Sequence, residues 1–248
     1  MKVFDADPKT RWLFCFTHPD DEIAICAWIR ILTAHKVAVF LSWTHDTPVR
    51  EAEARAGAER LGVPADRLFF HHANDGLVLE EIETLADPFK WMIAAVKPDR
   101  IACGAFEHGH LDHDATNFLV NRSFEGPVFE IPLYHTYLTW LQTLNRFSDP
   151  EGEELLTLTD DERRFKSAFS RLYPSQNIRR VLFWYEIYRG LTFRPAELKG
   201  SERMRLQTHK DFLQPSGPPA LVERVARTRQ WDRWTGVIEP LVRRTTSP

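Results

Sequence analysis

The stretch Phe14-Cys15-Phe16-Thr17-His18-Pro19-Asp20-Asp21-Glu22 joins a run of apolar residues to one imidazole and three carboxylates. Apolar residues fill positions 12–16 and resume at Ile23, so the acidic cluster lies between two core elements. We interpret it as a strand that ends in a turn at the start of a helix, with Pro19 as an early helical residue. Carboxylates are favourable in the first turn of a helix because they face the positive end of its dipole. On these residues alone, helix capping and catalysis explain the cluster equally well.

The same alternation continues from Arg11 to Arg122, where short apolar runs alternate with longer amphipathic stretches. This pattern is typical of repeated βαβ units and predicts an α/β fold, a Rossmann-like three-layer α/β/α arrangement around a mainly parallel sheet. The predicted strands are Trp12–Thr17, Val37–Thr44, Leu68–His72 and Arg100–Phe106. The predicted helices are Asp21–His35, Pro48–Leu61, Glu80–Val96 and approximately His113–Asn121.

The following part of the chain carries fewer signals. Apolar runs at Pro127–Tyr134 and Val181–Tyr188 are further strand candidates. The segment between them is rich in loop residues and includes the acidic, polar stretch Gly152–Asp161. Asp160-Asp161-Glu162 is predicted to open a helix that continues to Leu172, because acidic residues favour a first helical turn.

The composition changes after Pro195 to charged residues, a Pro- and Gly-rich linker at 214–219 and a basic amphipathic stretch with two tryptophans. We therefore expect one main domain over residues 1–190 and a C-terminal extension over 191–248. The extension is expected to pack on the domain, to cover its site as a lid or to make an oligomer contact, and its sequence does not choose among these roles.

Composition restricts the class of partner. The chain has 248 residues, 43% of them hydrophobic, which is enough for a full core. Lys plus Arg (32) nearly balances Asp plus Glu (35), so neither nucleic acid nor an acidic membrane is the expected partner, and a small molecule is. The N-terminus lacks the apolar core of a signal peptide, and we expect a cytoplasmic protein without a membrane span. The isolated Cys15, Cys26 and Cys103 are expected to be reduced and buried.

A second polar cluster, His108-Gly109-His110-Leu111-Asp112-His113-Asp114, follows the predicted strand Arg100–Phe106. In open parallel sheets the C-terminal ends of the strands form the ligand crevice, so both clusters should open onto the same side of the molecule. His18 and Asp21 are three residues apart, as are His110 and His113, a spacing that suits one helical face. Two imidazoles, one carboxylate and a water are typical of a catalytic zinc site. Spacing does not decide which histidines would bind.

These residues resemble a known family. His18-Pro19-Asp20-Asp21-Glu22 resembles the HPDDE signature of the LmbE/PIG-L family of zinc-dependent N-deacetylases, and Gly109-His110-Leu111-Asp112-His113 resembles its GHPDH motif. Further landmarks of that family follow in the same order, namely Arg50 through Glu53 ahead of Leu61-Gly62-Val63, Asp75-Gly76, and Tyr173-Pro174-Ser175-Gln176. The resemblance covers roughly residues 11 to 190. Leu111 departs from the usual proline, and nothing after Pro195 matches a known pattern.

The resemblance implies a zinc ion held by His18, Asp21 and His113, with Asp20 as the general base. Other first-row divalent ions also bind two nitrogens and one oxygen. In the same family pattern Glu22 supports the start of the helix and the geometry of the ligands, and it is not counted among the catalytic carboxylates.

The resemblance also implies that His110 faces the developing oxyanion, with Asp112 orienting it or raising its pKa. Capping of the following helix is the alternative role for Asp112. Arg50 and Asp75 are implied to hold hydroxyls or other polar groups of the substrate. Weaker pocket candidates, each with an ordinary structural alternative, are Trp43, His45, His71, His72, Glu107, His108, Tyr134, His135 and Tyr137.

The expected function is metal-dependent hydrolysis of an N-acyl group, in the first place an acetyl group, from an amino sugar or its glycoside by zinc-activated water. Amide hydrolysis needs an activated water, charge stabilisation and a proton for the leaving amine, and the two clusters contain a candidate for each task. One alternative is an amidase or deacylase that acts on a thiol conjugate or a natural-product scaffold. Another is a metal-dependent carbohydrate-binding protein without turnover, for which Leu111 is the one indication. The sequence leaves a homo-oligomer open.

Overall fold

The computed structural model describes residues 2–133, 138, 145–176, 187, 190–192 and 200–246. Its strands are β1 (Arg11–Phe16), β2 (Ala38–His45), β3 (Leu68–Ala73), β4 (Arg100–Gly104), β5 (Val128–Ile131), β6 (Glu153–Thr157) and β7 (Ser201–Leu206). They form one seven-stranded sheet in the order β3-β2-β1-β4-β5-β7-β6. The five strands β1 to β5 are parallel, and β7 pairs antiparallel with β5 and β6. The α/β fold with a mainly parallel sheet is confirmed.

The helices are α1 (Cys26–Ala34), α2 (Pro48–Leu61), α3 (Ile82–Val96), α4 (Leu111–Ser123), α5 (Asp160–Phe169), α6 (Pro219–Val225) and α7 (Arg229–Thr246). Short 3-10 helices lie at Asp21–Ala24, Ala65–Arg67, Ser170–Leu172 and Pro174–Gln176. One apolar core joins the sheet to α1, α2 and α5, and a second joins the opposite face to α3, α4, α6 and α7. This is the expected three-layer arrangement. In the described residues no helix is long and apolar enough to cross a membrane.

The central strand β1 carries side chains into both cores. Trp12, Phe14 and Phe16 pack towards α1 and α2, whereas Leu13 and Cys15 pack towards α3 and α4. All five are completely buried. A strand covered by helices on both faces reads as a continuous apolar run instead of an alternating one, which is why this stretch was visible in the sequence. The three cysteines are buried and free, as expected.

The helix predicted over Asp21–His35 is wrong in its first part. A 3-10 helix covers Asp21–Ala24, the backbone breaks at Ile25, and α1 starts only at Cys26. The carboxylate of Glu202 in β7 accepts hydrogen bonds from the amides of Ala27 (2.9 Å) and Trp28 (2.7 Å) and thereby caps α1. The helix begins where this remote carboxylate meets its first amide groups, and no local residue indicates that position.

The second half of the chain also differs from expectation. Strand β6 lies in the acidic segment that was expected to be loop, and β7 comes from the extension and inserts between β5 and β6. Trp231 and Trp234 of α7 are buried in the second core. The extension therefore packs on the rest of the chain, while a domain boundary at residue 190 stays a prediction. The strand candidate Val181–Tyr188 falls outside the described residues except for Ile187.

Candidate active site

The turn after β1 has an unusual backbone. Asp20 has φ 119° and ψ −19°, a left-handed conformation that residues with a β-carbon rarely adopt, so the prediction that Pro19 and Asp20 begin a helix is wrong. Such a conformation costs on the order of 1–3 kcal/mol and is found mainly at functional sites. The amide of Asp20 donates a hydrogen bond to Glu22 Oε2 at 2.9 Å.

Three side chains from the two clusters meet above the ends of β1 and β4. His18 Nδ1 lies 3.1 Å from His113 Nε2 and 3.9 Å from Asp21 Oδ2, and Asp21 Oδ2 lies 3.6 Å from His113 Nε2. Bonds typical of tetrahedral zinc place neighbouring ligand atoms about 3.3–3.6 Å apart. These three atoms therefore fit one metal ion. Asp21 Oδ2 is oriented by the amides of Thr17 (3.0 Å) and His18 (2.8 Å).

The geometry also offers neighbouring ligand sets around His18. Nitrogens of His18, His110 and His113 lie within 4.8 Å of one another, and so do ligand atoms of His18, Asp75 and Asp112. The structure thus brings the histidines of both clusters together with the predicted carboxylates. The expectation that both clusters open onto the same side of the sheet is correct, and the choice of His18, Asp21 and His113 as the metal-binding set stays a proposal.

Electrostatics in this cluster favour a cation. The pKa of His18 would be lowered by burial, but the carboxylates of Asp112, Asp75 and Asp21 outweigh burial and raise it to about 10. Burial, reinforced by the charges of Asp21 and Glu22, raises the pKa of Asp20 well above its ordinary value. The excess of carboxylates over cationic side chains is the environment that a divalent ion would neutralise.

His110 and Asp112 are arranged differently from the expectation. His110 is the N-cap of α4, because its Nδ1 accepts a hydrogen bond from the amide of Asp112 at 3.2 Å. The Asp112 carboxylate instead accepts from the amides of Gly76 (2.7 Å) and Val78 (3.2 Å), and its Oδ2 lies 3.6 Å from His18 Nε2. Helix capping, the alternative role for Asp112, is thus performed by the His110 side chain.

The pKa of His110 is also not what the sequence suggested. Burial and the nearby His18 charge lower it, and the opposing effect of the Asp112 carboxylate is too small to reverse the shift. The expectation that Asp112 holds His110 as an imidazolium is therefore wrong. Because Nδ1 of His110 accepts a hydrogen bond, the neutral ring carries its proton on Nε2. A neutral His110 can still donate one hydrogen bond.

Arg50 and Asp75 reach the cluster from two other strand ends. Asp75 is 54% exposed at its side chain, and its Oδ1 lies 3.3 Å from His18 Nε2 while its Oδ2 lies 3.4 Å from Arg50 Nη1. The guanidinium of Arg50 also donates to Gln176 Oε1. The nearby His18 imidazolium lowers the pKa of Asp75. Both residues expected to bind substrate therefore lie beside the candidate metal ligands.

Glu22 is the feature of the site that the sequence did not reveal in full. It is 0% exposed and accepts hydrogen bonds from the Asp20 amide, from Trp43 Nε1 (3.3 Å) and from the Tyr173 hydroxyl. Burial raises the pKa of Glu22 to about 7, although these hydrogen bonds oppose the shift. Tyr173 could have been singled out only from its place in the Tyr-Pro-Ser-Gln match, since it lies 151 residues away in sequence.

The structure places one of the weaker pocket candidates, His45, beside His18. His45 lies at the site, with its ring centroid 5.6 Å from that of His18. His71 stacks on Phe89, and His72 pairs with Asp46 at 2.8 Å. Trp43, Glu107 and His108 are buried, and Tyr134, His135 and Tyr137 lie outside the described residues.

The part of the chain that carries the site is similar to a known family. Residues 13–124 match the family model described as PIG-L: GlcNAc-PI de-N-acetylase. The match covers less than half of the chain. The matched segment contains His18, Asp20, Asp21 and the second cluster, as well as Arg50 and Asp75. Comparison with curated proteins gave no significant match.

Solved structures of deacetylases share the fold of this chain. A deacetylase of teicoplanin biosynthesis has a TM-score of 0.60 at 15% identity, over 82% of this chain and 99% of its own. The A40926 pseudoaglycone deacetylase has a TM-score of 0.57 at 16% identity, over 81% and 97%. The N,N'-diacetylchitobiose deacetylase from Pyrococcus horikoshii has a TM-score of 0.55 at 18% identity, over 83% and 89%. At these identities the likeness shows a common fold.

Proposed function

We propose that this chain is a metal-dependent N-deacetylase that hydrolyses an N-acyl group, in the first place an acetyl group, of an amino sugar or its glycoside. The observation that carries the proposal is the triangle of His18 Nδ1, Asp21 Oδ2 and His113 Nε2, with sides of 3.1 to 3.9 Å, beside the carboxylate-bearing turn at Asp20. The PIG-L match over residues 13–124 supports it. One deacetylase of similar fold forms a complex with teicoplanin, and another is an N,N'-diacetylchitobiose deacetylase.

His18, Asp21 and His113 would hold the metal ion, and zinc is the ion that this set of two imidazoles and one carboxylate suits best. When bound, such an ion supplies a Lewis acid and lowers the pKa of a water molecule from about 15.7 to roughly 7. One structure of similar fold is the zinc-inhibited form of a teicoplanin deacetylase. The metal should therefore be titrated in the assay and not simply added in excess.

Asp20 is the proposed general base. Its raised pKa, caused first by burial and then by the charges of Asp21 and Glu22, keeps its carboxylate basic enough to accept a proton from the attacking water. The same carboxyl group would then deliver that proton to the amide nitrogen as the amine leaves. A base of this kind typically contributes about 100- to 10,000-fold in rate.

His110 is the proposed donor to the oxyanion, and Asp112 supports the arrangement around it. The ring of His110 lies 5.3 Å from that of His18, edge to face, and its Nε2 carries the proton in the neutral form. That N–H would donate to the carbonyl oxygen as negative charge develops there. Asp112 would fix the turn at residues 75–78 and orient His18, a role that its contacts to Gly76 and His18 support.

Arg50 and Asp75 are the proposed contacts to substrate hydroxyls. Their neighbours in the sequence include two exposed apolar side chains, Val49 (61%) and Leu77 (45%). The second candidate function is a deacylase whose substrate has an apolar acyl chain or natural-product scaffold, which these exposed side chains would contact. Val49→Ser and Leu77→Ser would then raise KM for substrates with long acyl chains more than for N-acetylglucosamine.

The test is release of acetate from N-acetylglucosamine, its glycosides and N,N'-diacetylchitobiose by protein loaded with increasing zinc, manganese or cobalt. We expect metal-dependent acetate release that His113→Ala abolishes. Longer N-acyl sugars and N-acyl thiol conjugates, followed by mass spectrometry, cover the second candidate. If no acyl group is released from any of these substrates at any metal concentration, the chain is not this hydrolase. Tight sugar binding without turnover would indicate a binding protein instead.

A further inference from the structure

We infer that Tyr173 is a positioning residue for Asp20 and acts through the buried carboxylate of Glu22. We also infer that position 57 is glycine because a β-carbon there would prevent the Tyr173 hydroxyl from reaching Glu22. The four residues form what we call the Asp20 clamp. The inference rests on the proposed function, since Asp20 is the general base of that proposal. It adds two residues from distant parts of the chain to the residues that determine the rate.

Glu22 lies at the centre of the clamp. One of its oxygens accepts from the Tyr173 hydroxyl, and the other accepts from the Asp20 amide at 2.9 Å and from Trp43 Nε1 at 3.3 Å. All three partners are donors, so the carboxylate is the form of Glu22 that can accept from all of them. Since Glu22 is completely buried, loss of the Tyr173 hydroxyl would leave Oε1 desolvated and without that hydrogen bond.

The clamp holds a backbone conformation that Asp20 would not keep by itself. With φ at 119°, Asp20 is in a region that favours glycine, and the hydrogen bond from its amide to Glu22 is the direct contact that opposes relaxation of the turn. Rotation of this peptide would swing the Asp20 carboxylate away from the metal ligands. A displacement of about 1 Å in a catalytic group can cost on the order of 100-fold in rate.

Tyr173 fixes the Glu22 side chain from the opposite direction. It follows the 3-10 helix Ser170–Leu172 and is buried, with its ring 5.7 Å from that of Phe169. The ring belongs to the first apolar core, and only the hydroxyl points at Glu22. Removal of the hydroxyl alone would therefore keep the packing and release the carboxylate.

The lack of a side chain at Gly57 leaves room for the Tyr173 hydroxyl beside Glu22. Gly57 lies in the interior of α2, where glycine costs about 1 kcal/mol relative to alanine. A β-carbon at this position would overlap the Tyr173 hydroxyl oxygen and approach Phe169 to 3.3 Å. Alanine would favour the helix but displace Tyr173, so the identity of this residue follows from the contact.

The first experiment measures kcat, KM and bound metal for Tyr173→Phe and Gly57→Ala. We expect kcat to fall about 10- to 100-fold with KM and metal content unchanged, because a misplaced base affects the reaction more than binding. Gly236→Ala is the matched control, since a β-carbon at that helical glycine meets nothing within 4 Å. It should leave kcat unchanged.

A double-mutant cycle shows whether Tyr173 acts through Asp20. In the Asp20→Asn background the Tyr173→Phe substitution should cause no further loss of kcat, because the group that it positions is already gone. A loss in that background as large as in the wild type would overturn the inference and leave Tyr173 with a purely structural role. Thermal unfolding of each variant shows whether folding contributes.

Hydrogen exchange of the Asp20 amide tests the clamp without any activity. The amide should exchange slowly in the metal-loaded wild type and at least 10-fold faster in Tyr173→Phe and Gly57→Ala, while Gly236→Ala behaves like the wild type. If no substrate is hydrolysed, the proposed function fails, but this measurement still decides the clamp. Exchange rates that are unchanged in both variants would overturn it.

Discussion

Two buried carboxylates lie at opposite ends of the segment that joins β1 to α1, and they are satisfied in different ways. Glu202 accepts from the amides of Ala27 and Trp28 and pairs with Lys166 Nζ at 2.8 Å. Glu22 accepts from one backbone amide and from two uncharged side chains. Both are completely buried. The first has its charge matched by a cation, whereas the charge of the second is added to those of Asp20 and Asp21.

The difference indicates a structural role for Glu202 and a role at the candidate active site for Glu22. In an ion pair the two charges cancel. Glu202 can therefore cap α1 without adding net negative charge near the candidate active site. Burial raises the pKa of Glu202 and of Glu22, and in Glu202 the Lys166 ammonium opposes that shift, whereas in Glu22 neutral donors do. At the site, burial and then the negative charges of Asp21 and Glu22 raise the pKa of Asp20. The comparison makes four predictions, from the largest effect to the smallest.

Asp20→Asn tests the end of the β1–α1 segment that carries the candidate active site. We expect kcat to fall about 100- to 10,000-fold, because the amide cannot accept the proton of the attacking water. The free energy of unfolding should not fall, since one charge is removed from a cluster of carboxylates. Initial rates and thermal unfolding measure both quantities. A variant that keeps the wild-type rate at equal metal content would show that Asp20 is not the base.

Glu202→Gln tests the other end of that segment, where Glu202 caps α1. The substitution leaves Lys166 buried without its carboxylate, and removal of one partner of a buried ion pair costs about 3–5 kcal/mol of unfolding free energy. The kcat of the folded fraction should stay at the wild-type value. Denaturant unfolding measures the loss, and the Lys166→Met, Glu202→Gln double variant should recover part of it. An equal loss in the double variant would assign the effect to the α1 cap instead.

His110→Ala combines a functional and a structural effect. Loss of an oxyanion donor is expected to lower kcat about 100- to 1000-fold. Loss of the cap on α4 is expected to cost about 1 kcal/mol of stability. His110→Asp separates the two, because aspartate is a good N-cap and its carboxylate has no hydrogen-bond donor. Rates near the wild type in His110→Asp would mean that His110 acts only as a cap.

The smallest expected effect is a change in stability. Asp20→Gly should raise the free energy of unfolding, whereas Glu202→Gln lowers it. Glycine adopts a φ of 119° without strain, so the unfolding free energy should rise by about 1 kcal/mol while activity is lost. Chemical denaturation measures this gain. Stability below that of Asp20→Asn would show that the turn is not strained. A gain would demonstrate that stability is sacrificed at the end of the β1–α1 segment that carries the candidate active site and not at the end that Glu202 caps.

Much of the fold could be predicted because β1 to β4 and their helices follow local rules. Continuous apolar strands alternate with helices, and α2 carries its own start and stop signals, with Thr47 as N-cap and Gly62 in the left-handed conformation at its end. Strands β6 and β7 could not be predicted, since they are short and antiparallel and their partners come from distant parts of the chain. The start of α1 could not be predicted either, because its cap is Glu202.

The sequence by itself determined the residue types of the site and their place at the ends of β1 and β4, because the motifs are local and parallel strands end on the same side of the sheet. Only the tertiary structure decided how those residues are held. It showed that Asp20 is not helical, that His110 caps α4 and that the Asp112 carboxylate binds the turn at residue 76. It also brought Tyr173 to Glu22 across 151 residues. Contacts of this kind depend on packing between distant elements, which no local pattern records.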